Sequence, residues 1–372
     1  MTAPKPWLGS TMRTDFQALR SLASCLVGRF PDDVDWDCVI ALANQTMTIT
    51  SLAAAVHSAE PTGVPDEVRG YLDVIYTSNA RRNAMLYSQL EEAVACLNEA
   101  GIEPVIMKGA AVLLSQATSD FGGRILIDLD LMVRPPKMQE AIQALRTIGY
   151  DVRVDGGART WPGDPEAHLP TVLERGSDAG SIDVHCRPKG PASFKDIEWL
   201  YQNSTRTGLG KGHAYIPSGF AQIVYLVLHD QFQDGDYWRG LIDLRHLLDI
   251  VSIARSAQEI DWSKIRSLFA AGYEQNATDT QILTVNALFG IPDITRLKIG
   301  TLPRLQFLRR KLQLGRDYLR HPLTIAAFLS EIVSYPSWDR YGGMSHASRR
   351  QELKRVAREF RRVFRPKPLG KA

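Results

Sequence analysis

The sequence predicts an α+β protein, with a small mixed β-sheet core flanked by N-terminal and C-terminal helical regions. Three observations predict it. Short apolar runs bounded by glycine and proline cluster between residues 104 and 187. A helix-like segment separates the first two of these runs. On either side of the core, apolar residues recur every three or four positions, the period of helices packed by one face. At 372 residues the chain is long enough to bury a full core. We divide it into an N-terminal helical region (1–100), a core (101–217), a second helical region on the substrate side (218–300) and a basic helical tail (301–372).

The N-terminal region begins with FQALRSLASCLVGRF and VIALANQTMTITSLAAAVHSA, both at helical spacing. Pro61-Thr62-Gly63-Val64-Pro65 breaks the pattern, and a longer helix follows from about Asp66 to Ala100, with Gly101 placed to end it. We read the region as a helical cap, and His57 as a packing residue. The core opens with Pro104 to Met107, an apolar run read as a buried strand. Lys108-Gly109 breaks that run, Ala110 to Gln116 reads as a short helix, and Phe121-Gly122-Gly123 turns through Arg124 into a second apolar run, Ile125 to Val133. Pro135-Pro136 stops it. KMQEAIQALRTIGY is an amphipathic helix with Gly149 at its end, and Tyr150 to Val154 is the next strand. Asp155 to Pro165 is a polar loop, a candidate flap. His168 to Glu174 and Ser181 to Arg187 read as paired strands joined by a turn at Arg175 to Gly180.

The chemistry sits on two of these strands. Asp128 and Asp130 are separated by one residue, which puts both on one face of a strand, about 7 Å apart. Two like charges there are costly unless a cation or hydrogen bonds offset them. Leu126, Ile127, Leu129, Leu131 and Val133 surround the pair, which argues for an interior strand rather than a solvated turn. The glycine turn and helix start before it make an anion site, because unpaired backbone N–H groups gather there. Mg²⁺ binds through a few carboxylates plus phosphate oxygens, so a phosphate cradle beside two carboxylates suits phosphoryl transfer. Lys108 and Arg124 are candidate phosphate contacts or, alternatively, ion-pair partners of Asp128 and Asp130.

The order strand, K-G-A-A, helix, Arg, I-D-L-D-L-M-V resembles the polymerase-beta-like nucleotidyltransferases. More narrowly it is similar to a bacterial family of uncharacterised nucleotidyltransferases with an L-K-G-A, R, D-x-D-L-L-V pattern. The resemblance continues through L-H, W-R-x-L-x-D-L and I-D-W and covers roughly residues 30 to 290. It implies a Mg²⁺-dependent enzyme, with two ions, that moves a nucleoside monophosphate from an NTP to an acceptor hydroxyl or phosphate. It also implies a third carboxylate on a neighbouring strand, which falls on Asp183, with His185 two residues on and on the same face. Asp128, Asp130 and Asp183 are thus the expected catalytic and metal residues; Lys108, Gly109, Arg124 and His185 the expected nucleotide and phosphate contacts. Asp183 and His185 could instead form a plain cross-strand polar pair. The broad superfamily has Gly-Ser after the first strand, where this chain has Gly109-Ala110 behind Lys108, so the phosphate-touching hydroxyl is missing.

From about Ser218 the chain turns helical again. His229 and Asp243 either line a cleft or hold helices together, and we prefer the second reading. The tail segment SRRQELKRVAREFRRVFRPKP puts Leu353, Val356, Phe360, Val363 and Phe364 on one helical face among Arg and Lys. Such a helix docks by its apolar stripe or meets a polyanionic partner with its basic face. Lys and Arg total 44 against 41 Asp and Glu, a slight positive excess that is not evenly spread along the chain. The four cysteines lack zinc-knuckle spacing. No signal-peptide h-region and no run of membrane-spanning length occurs, so the expected location is the cytoplasm. Two alternatives stand beside the transferase: a catalytically inactive nucleotide- or RNA-binding protein on the same fold, and a toxin-like transferase acting on transfer RNA.

Overall fold

The computed structural model describes residues 15–115, 121–153, 170–188, 190–191, 194, 196–256, 260–291 and 293–331. The fold divides into two units, a sheet unit of Thr77–His229 with Ser252–Asp261, and a helical unit of Met1–Tyr76, Asp230–Val251 and Trp262–Ala372.

The helical unit starts with α1 (Phe16–Leu26), α2 (Trp36–Gln45) and α3 (Ile49–Ala59). Asp15 and Asp35 cap the first two helices by accepting backbone N–H bonds. The run Val39 to Ala59 does not form one helix. The Thr46 hydroxyl donates to Leu42 O at 2.8 Å and meets the Thr48 hydroxyl at 2.9 Å. Met47 between them takes a left-handed φ of 54°. Hydroxyls that bond the backbone locally compete with helix continuation, and here they divide α2 from α3. The long helix α4 (Asp66–Glu99) then crosses from the helical unit into the sheet unit and stops before Gly101, at φ 70°.

The sheet unit carries β1 (Val105–Ile106), α5 (Lys108–Ser115), β2 (Asp128–Met132), α6 (Met138–Thr147), β3 (Asp151–Val152), β4 (Thr171–Glu174), β5 (Ser181–His185), α7 (Glu198–Gln202), β6 (Ser204–Leu209), β7 (Gly212–Pro217) and α8 (Gly219–Val227). Its strands form one mixed seven-stranded sheet in the order β3-β4-β5-β2-β1-β7-β6. β2 sits at the centre, parallel to β5 and antiparallel to β1. Leu129, Leu131, Ile182 and Val184 are at most 1% exposed and join Leu86, Leu90, Leu97, Ile142 and Leu145 in one apolar core. That core covers one face of the central strands and leaves the other to polar residues.

The expected sheet differs from the observed one in strand lengths and in one hairpin. β2 begins at Asp128, and Ile127 before it is 42% exposed, so the second strand is shorter than its apolar run. The β6–β7 hairpin had no counterpart in the sequence reading. β6 is an exposed polar edge strand, and its partner joins the sheet beside β1, with Val105 opposite Tyr215. Finally, the His168–Glu174 strand is observed only as Thr171–Glu174; the Asp155–Pro165 loop and the residues before 170 lie outside the described residues, as does the basic tail from residue 332 on.

The helical unit continues with α9 (Asp236–Arg239), α10 (Leu244–Ser256, its last residues in the sheet unit), α11 (Trp262–Ser267), α12 (Tyr273–Phe289), α13 (Thr301–Gln313) and α14 (Asp317–Glu331). Ile282, Leu283, Leu297 and Ile299 form a second apolar cluster with Trp262 and Phe307 against it. Asp243 caps α10 by accepting the His246 N–H at 3.2 Å. Among the described residues no helix is long and apolar enough to cross a membrane.

Candidate active site

The strand period and the β2–β5 register together build one polar face. Asp128 pairs with Ser181, Asp130 with Asp183 and Met132 with His185. Residues in register on parallel neighbours point to the same side, and every second residue repeats it. Asp128, Asp130, Ser181, Asp183 and His185 therefore share the face opposite the core. Asp130, Asp183 and His185 each bring one ligand atom within 4.8 Å of the others. Asp128 lies outside that tight cluster, one register step along the strands.

Asp130 is the most enclosed of the carboxylates, at 2% exposure. Its Oδ1 accepts from Lys108 Nζ at 2.6 Å and meets His185 Nε2 at 2.8 Å. Burial alone would push this carboxyl up, but the Lys108 charge and the His185 hydrogen bond outweigh it and hold the group well below the usual carboxylate range. Burial opposes the charge on Lys108 too, yet Asp130, Asp128 and Asp183 raise its pKa. The pair is thus stably ionised although largely desolvated. Lys108 itself sits at φ 47°, a left-handed conformation uncommon for a residue with a Cβ. That backbone turn lies between β1 and α5 and belongs to the same residue whose ammonium reaches Asp130.

Asp183 behaves in the opposite way. Burial and then the charges of Asp130 and Asp128 raise its carboxyl to about 6, against an ordinary value of 3.8. Ser181 Oγ donates to its Oδ1 at 3.1 Å, which is too little to offset two neighbouring carboxylates. Three acids and the Lys108 ammonium gather on this face, and Arg82 lies near enough to Asp128 to feel its charge. A hard divalent cation fits that donor set: carboxylate oxygens suit Mg²⁺, and the imidazole, already bonded to Asp130, suits the orienting role of a residue behind the ligands. Asp128, Asp130 and Asp183 are the residues that would hold it.

The loop leading into β2 is fixed from α4. Asn83 Nδ2 donates to Phe121 O and Arg124 O, both at 2.7 Å. Asn79 Nδ2 donates to Gly122 O and Arg124 O, both at 2.9 Å. Arg82 donates to Leu126 O and, at 2.9 Å, to Ala179 O, so it ties the approach to β2 to the β4–β5 turn. Gln89 adds a bond to Gly180 O at 2.8 Å. The sequence reading gave α4 only a capping role and missed these residues. Their signal was an Asn-x-x-Arg-Asn cluster at one-turn spacing on an otherwise apolar-patterned helix. Arg124 Nη1 donates to Ile125 O at 3.1 Å, and the guanidinium passes tightly over Gly109. A Cβ on Gly109 would sit 2.7 Å from Leu126 Cδ2 and clash with the Arg124 guanidinium, so a larger residue here would push those two side chains aside. Beside Lys108 a small pocket is lined by Met107, Val112, Pro217, Gln222, Tyr225 and Leu226; it brings the end of β7 and the start of α8 to the site.

The structure thus gathers Asp130, Asp183, His185 and Lys108 into direct contact range, places Asp128 on the same face, and packs Arg124 against Gly109 at its edge. The family model described as uncharacterised nucleotidyltransferase matches residues 32–290. No curated protein matches the sequence. Two solved structures show weak similarity. One is the solution structure of the antibiotic-resistance factor ANT(2'')-Ia, at 13% identity and a TM-score of 0.34, over 50% of this chain and 90% of that one. The other is the crystal structure of an antigenic nucleotidyltransferase-like protein from Paracoccidioides brasiliensis, at 15% identity and a TM-score of 0.34, over 57% of this chain and 91% of that one.

Proposed function

The chain belongs to the family of uncharacterised nucleotidyltransferases, and from that premise we propose that it transfers a nucleoside monophosphate from an NTP to an acceptor hydroxyl or phosphate with the help of Mg²⁺. The observation that carries this reading is the β2–β5 face, where Asp130 and Asp183 stand in register with Asp128 beside them. In the reaction the acceptor oxygen bonds to the α-phosphorus, the bond to the β-phosphate bridge breaks, and pyrophosphate leaves. Asp128, Asp130 and Asp183 would hold Mg²⁺, which would neutralise the charge that develops on the phosphates.

The remaining steps belong to the chain itself. Lys108 has three ammonium donors; one is spent on Asp130, and the others are free in geometry to meet phosphate oxygens. The N–H groups opening α5 at Gly109 and Ala110 add to that cradle, since the first turn of a helix lacks intrahelical acceptors. They replace the missing hydroxyl. Asp183, raised by burial and its acidic neighbours, is suited to take the acceptor's proton near neutral pH. His185 orients Asp130 through Nε2. Arg124, held by Asn79 and Asn83 through its carbonyl, steers the phosphates. Most of the rate then comes from positioning rather than covalent chemistry.

A second reading is favoured by one observation: the Lys108 ammonium already neutralises Asp130. On that reading the fold binds a nucleotide without transferring it and needs no metal ion. Thermal unfolding with each of the four NTPs, with and without Mg²⁺, separates the two. A ligand at a hundredfold excess over its Kd adds about 2.7 kcal/mol of stability. A Mg²⁺-dependent shift that disappears in Asp128→Ala supports the transferase. An equal shift without Mg²⁺ supports the binding module and overturns the metal assignment.

A further inference from the structure

The β6–β7 hairpin ends the sheet on an open edge. Tyr215 of β7 donates its N–H to Pro104 O at 2.9 Å, on the β1 side. Arg206 stands opposite Tyr215, in a pair whose main-chain groups turn away from each other. At the foot of the hairpin the Ser218 N–H donates to Asn203 O at 2.8 Å. Both bonds set the same alternation. Thr205, Thr207 and Leu209 bond inward to β7, while Ser204, Arg206 and Gly208 turn their N–H and C=O groups outward. Among the described residues no main-chain bond reaches Arg206 or Gly208 on that outer side, and Thr205 to Gly208 are exposed.

Such an edge is a template for another strand, and proteins block it with Lys, Pro, a bulge or an inward-pointing charge. β6 has none of these. Its register against β7 runs unbroken from Ser204 opposite Pro217 to Leu209 opposite Gly212. Its one charged residue, Arg206, is matched within the chain: Nε lies 3.0 and 3.1 Å from the Glu103 carboxylate oxygens, and Nη2 lies 2.5 Å from Oε1. Ser204, Thr205, Thr207, Gly208 and Leu209 are neutral.

The strand also complements itself. Two copies can pair antiparallel about a two-fold axis only where outward residues meet outward residues. An axis at Arg206 sets two guanidinium groups opposite one another, which is destabilising. An axis at Thr205 sets Gly208 against Gln202, the end of α7, which is no strand. With the axis at Thr207, Arg206 faces Gly208 of the second copy, which has no side chain to meet it, and the two residues exchange both main-chain bonds. Thr207 then faces Thr207, a favourable cross-strand pair. Thr205 faces Leu209 and extends the cover over that margin of the core.

We propose that β6 is a homodimer seam: two copies of this chain join edge to edge, antiparallel about Thr207, into one continuous sheet. β1 and β7 lie between the seam and β2, so the acidic face of each copy stays outside it.

Sedimentation of the full chain tests it. The expected result is a monomer–dimer equilibrium that moves to dimer with concentration. Gly208→Pro removes an outward N–H, at a position where a Cβ meets nothing within 4 Å. It should raise the dimer Kd about tenfold or more while the sheet remains folded by circular dichroism. Thr207→Cys should form an interchain disulfide on mild oxidation, because directly opposed residues in a non-hydrogen-bonded pair bring their Cα atoms to about 4.5 Å. Thr205→Cys, on the same face of the strand but off the axis, should cross-link no more than the unaltered chain, whose four cysteines give the background. A chain that sediments as a monomer at every concentration overturns the proposal. So does a dimer that Gly208→Pro leaves intact, or cross-linking of Thr205→Cys as efficient as that of Thr207→Cys.

Discussion

Lys108 and Asp183 carry opposite electrostatic burdens. The Lys108–Asp130 pair is largely buried, and removing one partner of such a pair leaves an uncompensated charge, at a cost on the order of 3 kcal/mol. Lys108→Ala should therefore lower Tm clearly in metal-free buffer. Added Mg²⁺ should recover more Tm in Lys108→Ala than it adds to the unaltered protein; equal increments would detach Asp130 from the ion. Asp183 works against the fold. Its raised carboxyl means that stability is lost as pH climbs from the unfolded value near 3.8 through about 6, and the penalty persists above that. Asp183→Asn should raise stability by about 1–3 kcal/mol above pH 6, with the gain vanishing toward pH 4, while nucleotide transfer is lost. A thermal melt series across pH reads this, and an unchanged or lower Tm at pH 8 contradicts it. These acids were legible from sequence because a strand has a period of two, and D-x-D and D-x-H can then only share a face. The Lys108 ion pair was not, since its left-handed backbone turn leaves no mark in residue spacing.

At the scale of elements, α4 acts as the back wall of the site. Asn79, Arg82 and Asn83 bond main-chain carbonyls of the segment that delivers Arg124 and β2. A small misplacement of reacting groups costs up to about a hundredfold in rate. Asn79→Ala combined with Asn83→Ala should lower kcat/KM tenfold or more while the sheet remains folded by circular dichroism; unimpaired kinetics would reduce the clamp to a structural role. This clamp was hidden because its acceptors are backbone carbonyls, which every sequence has. The β6–β7 hairpin was hidden for a different reason. Its outer strand, with Thr205, Arg206 and Thr207, is exposed on both faces and offers no apolar alternation, while β1 and β5 announced themselves by burial. α2 and α3 were legible as helical but not as two, because the break rests on threonine hydroxyls rather than on Gly or Pro.

At the scale of the whole molecule, each unit has its own polar centre, and the two respond differently to pH. In the helical unit His246 is buried, with Nδ1 2.7 Å from Asp230 Oδ1 and 3.4 Å from Asp243 Oδ2. Burial pulls its pKa down, but Asp243 and Asp230 outweigh it and raise the value overall. The stabilisation is complete below the unfolded value near 6.5 and is lost as pH rises through the higher folded one. Tm should therefore fall across that window above pH 6.5, and His246→Gln should flatten the fall; a flat profile in the unaltered protein would contradict the ion pair. The division into a mixed sheet and flanking helices was readable from the change in hydrophobic period, whereas the path of α4 through both units was not, since a helix pattern says nothing of what lies on either side. The central claim concerns the sheet unit, and one measurement reaches it most directly. NTPs labelled at the α-phosphorus are incubated with the protein, Mg²⁺ and an extract separated into small-molecule, RNA and protein fractions. The account predicts label on one fraction with matching pyrophosphate release, abolished by chelating the metal and by Asp128→Ala. Label transferred equally well by Asp128→Ala, or no label on any fraction from any NTP, would contradict it.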